Sequence, residues 1–268
     1  MKITREVGGR FFLFSLVIVL LGGCAGPRTH VKADAIPRDE PFHQHANPES
    51  YVVLGKRYFV MQSNNGYAER GIASWYGKQF HGNRTSTGER YDMYEMTAAH
   101  KTLRIPSYVR VTNLKNGRSV VVRVNDRGPF HQNRIIDLSY AAAEKLDMTR
   151  EGTALVEVRV VNAGPAKNAA RTPPVAVSAP EKDWRDQSHL HNRIFVQVGA
   201  FASRKNAEQL FDRLLQGRFR DVQIVSTEDP NRILHRVRIG PLSNVTATDE
   251  IVARLEGLGY MEYQIVIE

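Results

Sequence analysis

Cysteine occurs once in the 268 residues, at Cys24. One thiol excludes an internal disulfide and a thiolate metal centre, so any folded part must be held by its apolar cores. Tryptophan is scarce too, at two, and no apolar run reaches the roughly 20 residues that a membrane-spanning helix needs. Acid is in deficit: 28 Asp and Glu stand against 37 Lys and Arg, a formal charge of +9. That excess fits an acidic partner such as nucleic acid, anionic lipid or an acidic polysaccharide. Histidines do not fill the gap left by cysteine. His30, His43 and His45 stand among prolines without the spacing or fourth ligand of a metal site, so no metal or other cofactor is expected. Disorder is excluded in turn, because 42% hydrophobic residues can build real cores.

What is present begins with an address. Lys2, Arg5 and Arg10 precede the apolar run Phe11 to Leu21, and Gly22-Gly23-Cys24 follows it. A basic start, a short apolar middle and small residues describe a secretory signal over 1–23. Leu21-Gly-Gly-Cys24 resembles the bacterial lipobox, which implies lipidation of Cys24 and cleavage before it. Ala25 follows where Asp would favour the inner membrane. The resemblance therefore implies an outer membrane lipoprotein facing the periplasm, with several acyl chains as its anchor. Export argues against nucleic acid as the partner.

Composition then divides the mature chain. Residues 24–49 carry Pro27, Pro37, Pro41 and Pro48 with mixed charge and read as a lipid-anchored linker. Residues 50–162 alternate short strand-like runs with turns, giving strands at 51–54, 57–61, 71–76, 107–113, 118–124 and 154–161. Asn116-Gly117 marks a hairpin between the two Val-rich runs, and Ser139 to Leu146 reads as a helix capped by Ser139. Six short strands in about 110 residues suggest a small closed barrel. Residues 163–190 are an Ala/Pro-rich linker. In 191–268, Ile194, Val196 and Val198 alternate as a strand, and Ala207, Leu210, Phe211, Leu214 and Leu215 follow helical spacing behind a Ser203 cap. Strands at 222–226 and 234–239, a helix through Ile251 and Leu255, and a last strand complete a βαββαβ order, the pattern of a four-stranded sheet with both helices on one face. Alternation would place Phe195, Gln197, Arg236 and Arg238 on the open face.

Chemistry concentrates in the barrel. Val120 to Val124 leads straight into Asn125-Asp-Arg-Gly-Pro129, so a strand ends on a carboxylate and a guanidinium. Glu89 lies in the loop Thr85-Ser-Thr-Gly-Glu89, and His100 ends Thr97-Ala-Ala-His100. Two carboxyls in different environments suit glycosidic cleavage, one as proton donor and one as charge stabiliser. Spacing alone leaves open that Glu89 and Asp126 merely pair with arginines such as Arg84 or Arg127.

Six motifs in order carry a family resemblance: Gly71-Ile-Ala-Ser-Trp-Tyr-Gly77, Phe80-His-Gly82, Thr87-Gly-Glu89, Thr97-Ala-Ala-His100, Val124-Asn-Asp-Arg-Gly-Pro129 and Arg134-Ile-Ile-Asp-Leu-Ser139. Together they resemble the rare lipoprotein A family, which implies a double-psi β-barrel and lytic transglycosylase activity on peptidoglycan. Phe195-Val-Gln-Val-Gly-Ala-Phe201 and Val237-Arg-Ile-Gly-Pro241 resemble the sporulation-related repeat (SPOR) domain, which implies binding to septal glycan strands stripped of stem peptides. Carried over, Asp126 becomes the acid/base and Glu89 the orienting or stabilising carboxylate, roles that exchange without breaking the scheme; His100 supports them. Tyr76, Arg127, Asp137 and Ser139 become substrate contacts, with two alternatives open. Arg127 either meets a muramyl lactyl carboxylate or packs beneath Asp126, and Tyr76 either stacks on a sugar ring or fills the core. Phe195, Gln197, Arg236 and Arg238 become glycan contacts of the second domain. Two other readings remain at this level: a non-catalytic wall-binding lipoprotein, and an inverting hydrolase with a water between its carboxyls.

Overall fold

The computed structural model describes residues 33–131, 133–163, 193–227 and 233–268. The signal, Cys24 and nearly all of the Ala/Pro-rich linker lie outside them. A six-stranded closed barrel is followed by a four-stranded sheet carrying two helices.

A short hairpin comes first, β1 (Ser50–Val53) and β2 (Lys56–Phe59), turning at Leu54 and Gly55 with positive φ. The barrel strands are β3 (Ala68–Trp75), β4 (Thr97–His100), β5 (Ser107–Asn113), β6 (Ser119–Asp126), β7 (Arg134–Leu138) and β8 (Thr153–Val160). They close in the order β3-β7-β4-β6-β5-β8. This corrects the strand assignment. The runs near 51–54 and 57–61 form a sheet of their own, and β4 and β7 take their places in the barrel. Both are four or five residues long, too short for alternation to announce them. They also supply the two parallel pairs, β3 with β7 and β4 with β6, that tie distant parts of the sequence together.

Alternation fills the interior. Val109 and Val111 of β5, Val120, Val122 and Val124 of β6, Ile136 and Leu138 of β7, and Val156 and Val158 of β8 are fully buried. At roughly 1.5–3 kcal/mol for each such side chain, this set dominates the stability of the barrel. A helix, α1 (Tyr140–Lys145), lays Ala142 and Ala143 against the same core.

The stretch before the hairpin is not a free linker where it is described. Ala35 donates its N–H to the Val121 carbonyl at 2.9 Å, Asp34 accepts from the Val121 N–H, and Ala46 is buried. Its polar composition concealed that these groups reach the barrel, and residues 33–49 act as a strap across it.

In the second unit, β9 (Ile194–Phe201), α2 (Arg204–Gln216), β10 (Val222–Ser226), β11 (His235–Leu242), α3 (Val245–Gly257) and β12 (Gln264–Ile267) follow the expected order. The sheet runs β10-β11-β9-β12, antiparallel throughout. Val196, Val237 and Ile239 pack with Ala207, Leu210 and Leu214 of α2 and Val252 and Leu255 of α3. Ser203 occupies the N-cap of α2 without a side-chain capping bond, whereas Asn244 caps α3 through Ala247 N–H. Arg134 at the start of β7 reaches Asp249 of α3 with two parallel bonds of 3.1 and 2.7 Å.

Candidate functional site

The site forms where β6 leaves the barrel. Val120, Val122 and Val124 point inward, so Arg123 and Asn125 share the other face. A register shift between Ala98 and Ala99 of β4 then skips Asn125 and pairs Ala99 with Asp126 at the strand end. Gly128 follows at φ +139°, a conformation that side-chain-bearing residues rarely adopt, and turns the chain away.

One loop holds both carboxylates. Thr85 N–H bonds the Glu89 carbonyl and Gly88 N–H bonds the Thr85 carbonyl, each at 2.8 Å, with Gly88 at φ +88°. From the start of this turn, Ser86 donates its N–H (2.8 Å) and hydroxyl (2.6 Å) to Asp126 Oδ1. At its end, Glu89 Oε2 accepts from Arg123 Nη1 and Asn125 Nδ2, both at 2.8 Å. Burial opposes ionisation of Glu89. The hydrogen bonds from Arg123 and Asn125 and the charge of Arg123 outweigh it and hold the carboxyl below its usual range.

Asp126 has two unlike edges. Oδ1 takes the two bonds from Ser86 and a third from Arg127 N–H. Among the described residues, Oδ2 receives only a long 3.3 Å contact, from the Tyr76 hydroxyl. Burial, then the nearby Asp126 and Asp137 charges, push the Tyr76 phenol well up, so it stays a donor. Its ring is held by Tyr91, with centroids 4.9 Å apart. Beside Asp126 opens a cavity of about 460 Å³ whose walls include Tyr51, Arg84, Ser86, Arg127 and Phe130.

Several expected contacts take other positions. Arg127 is no free cation: its guanidinium donates to Ala46 O, Asn47 Oδ1 and Leu103 O, with longer contacts to His100 O and Lys101 O. It is a brace that ties the strap to the turn after Asp126 rather than a cation standing free for a carboxylate. Ser139 is fully buried and caps α1 by accepting from Ala142 N–H, which removes it from the substrate contacts. Asp137 accepts from the Ser74 hydroxyl across the parallel β3–β7 pair, and burial raises its pKa.

His100 is 3% exposed, with its Nδ1 accepting from the N–H groups of Thr102 and Leu103. Nε2 must then carry the proton and donate to the Tyr67 hydroxyl at 2.8 Å, which donates to Glu69 at 2.6 Å. Burial, followed by the charges of Arg127 and Lys101, pushes the imidazole down to about 3. It is a neutral scaffold under the site.

On the second unit, Phe195 and Arg238 are each 4% exposed, so the expected open display does not hold for them. Arg238 donates to Glu268 at 2.5 Å and lies 5.8 Å from the Phe195 ring centroid. Gln197 and Arg236 remain partly exposed.

Ser86, Arg123, Asn125 and Glu40 carry roles that no sequence signal assigned. Glu40, in the strap, receives Arg123 Nε at 3.0 Å and Nη2 at 2.7 Å, completing a Glu40–Arg123–Glu89 chain.

Comparison with known proteins identifies the two domains and the family. A lytic transglycolase family model matches residues 68–160, and a SPOR domain model matches 191–266. The endolytic peptidoglycan transglycosylase RlpA of Vibrio cholerae is 37% identical over 94% of this chain and 94% of its own length. The protein of that name from Pseudomonas aeruginosa (strain PAO1) is 41% identical, covering 84% and 78%, and that of Neisseria meningitidis serogroup A is 42% identical, covering 84% and 87%. The crystal structure of the RlpA SPOR domain from Pseudomonas aeruginosa is 30% identical over 27% of this chain and 96% of that chain, with a TM-score of 0.26. A double-psi barrel followed by a SPOR domain, and relatives this similar along most of their length, place the chain in the RlpA family of endolytic peptidoglycan transglycosylases.

Proposed function

We propose that this lytic transglycosylase cleaves the MurNAc–GlcNAc bond of peptide-stripped peptidoglycan strands within the chain, leaving 1,6-anhydroMurNAc ends. The observation that carries the reading is Asp126 in the wall of a cavity, held firmly at Oδ1 and only by one long contact at Oδ2, with an ionised Glu89 fixed by the same loop. Asp126 Oδ2 protonates the bridging oxygen as the C1–O bond breaks. Glu89 offsets the positive charge that develops on the muramyl ring. The Asp126 carboxylate then takes the proton of the muramyl 6-hydroxyl as that oxygen closes on C1. Water is not consumed, and the bond broken is replaced by the internal 1,6-ether. Tyr76 donates to Oδ2 whenever Asp126 is ionised.

The lipobox-like Cys24 supports anchoring in the outer membrane on its periplasmic side, and the SPOR match supports enrichment at the division septum. Mass spectrometry of digests of isolated sacculi tests the reaction. Anhydro-ended glycans are expected. Reducing ends would indicate the hydrolase, and binding without soluble product would indicate a wall-binding lipoprotein.

A further inference from the structure

We infer that Arg84, with the aromatic wall of Tyr51 and Phe130, forms a muramyl subsite beside Asp126 in which Arg84 binds the free lactyl carboxylate of a peptide-stripped residue. This rests on the transglycosylase reading and names what selects its substrate. The cavity lies within the roughly 300–1,000 Å³ of ordinary ligand pockets and touches the proposed acid directly. One side is aromatic. Phe130 meets Tyr51 edge-on at 6.2 Å, and Tyr51 is stacked on Tyr58 at 5.4 Å and tied by its hydroxyl to Lys101 O at 2.7 Å. Such a rigid apolar surface suits the C–H face of a pyranose.

Two guanidiniums line the cavity, and they differ in what they have left to give. Arg127 has spent its donors on carbonyls and Asn47. Arg84 is exposed, donates once to Gly88 O at 3.0 Å, and pairs with no carboxylate among the described residues. Its backbone is fixed by a bridge to Arg90 at the base of the loop that holds Asp126 and Glu89. A glycan strand of amino sugars has one kind of acidic group, the lactyl carboxylate of muramic acid. A stem peptide turns it into a neutral amide. An arginine with free donors at this wall therefore distinguishes stripped from substituted residues by charge and by the fork geometry of the carboxylate. Tyr51 comes from β1, outside the matched residues 68–160, and Phe130 from the turn after β6, within them.

The test compares peptide-stripped strands bearing free carboxylates with the same strands after coupling to methylamine. Wild-type protein should cleave the free form with about tenfold higher kcat/KM, and in Arg84→Gln that ratio should fall towards one through KM, with partial recovery in Arg84→Lys. A wild-type ratio near one, or an equal loss on both substrates in Arg84→Gln, overturns the subsite, the latter by marking Arg84 as a support of the Gly88 turn. Active wild-type protein with its ratio unchanged in Arg84→Gln also overturns the subsite and leaves the transglycosylase reading standing. Absence of anhydro product from wild-type protein on either substrate overturns both.

Discussion

Asp126 and Ser86 are 40 residues apart in sequence and 2.6 Å apart at their side-chain oxygens, and this contact sets what the carboxylate can do. Two donors from one residue fix Oδ1, so Oδ2 is presented in one direction. Replacing Asp126 with Asn keeps the shape and removes the transferable proton. Anhydro product formation should fall by at least about a hundredfold, the lower end for losing a general acid, with the melting temperature and sedimentation with sacculi unchanged. Ser86→Ala removes one donor and leaves the N–H, so a loss of about tenfold is expected, read from kcat on soluble strands. His100 makes a prediction in the opposite sense, with stability changing and chemistry not. Its folded pKa of about 3 lies below the ordinary 6.5 of the unfolded chain. Above pH 6.5 both states are neutral and the group is silent. As pH falls from 6.5 towards 3 the unfolded chain gains a proton that the barrel refuses, and stability drops by roughly 1.4 kcal/mol per unit. Denaturant melts at pH 7 and 5 should thus differ by about 2 kcal/mol from this residue, and the slope should flatten in His100→Gln. A wild-type curve flat across that window would mean that the ring is hydrated and free to charge.

At the scale of elements, the Glu40–Arg123–Glu89 chain couples the strap to the site. Arg123 lies mostly buried between two carboxylates, and the Tyr108 hydroxyl also donates to Glu40. Glu40→Gln leaves Arg123 with Glu89 alone and costs about 2 kcal/mol in a partly buried charged network. Thermal melting should register that loss, and turnover should fall several-fold as the Arg123 fork ceases to fix Glu89. Melting unchanged by Glu40→Gln would make the strap a passenger. The strap is also where sequence reading stopped. Its prolines and mixed charge read as a linker because nothing local signals a partner 83 positions away. Hairpins and helices whose partners are near in sequence were legible: β5 and β6 around Asn116-Gly117, α1 behind Ser139, and the βαββαβ order. β4 and β7 were not, because parallel pairing of four or five residues leaves no periodic trace. The same divide runs through the site. Asp126 and Glu89 stood out by motif, while Ser86 and Arg123 acquire meaning only when the loop folds back on β6.

On the scale of the whole molecule, Arg134 links the barrel to the SPOR unit. It is nearly buried, begins the strand that follows the Asp126 turn, and meets Asp249 of α3 in a bidentate pair. Deleting 191–268 therefore does two things at once. It removes the wall-binding sheet and leaves a buried guanidinium without its carboxylate. Asp249→Ala does only the second, so the pair of variants separates targeting from support. Because Asp249 is about a third exposed, the unpaired guanidinium should cost no more than about 1–3 kcal/mol. Calorimetry should resolve a lowered barrel transition in both variants, to a similar degree. Sedimentation with sacculi and enrichment at septa should fail only in the deletion, and cleavage of soluble stripped strands should persist in both at a rate reduced alike. If the deletion still gathers at septa, targeting lies outside the SPOR unit; if Asp249→Ala leaves the barrel transition unmoved, the two units fold without support from each other and Arg134 finds its partner in solvent.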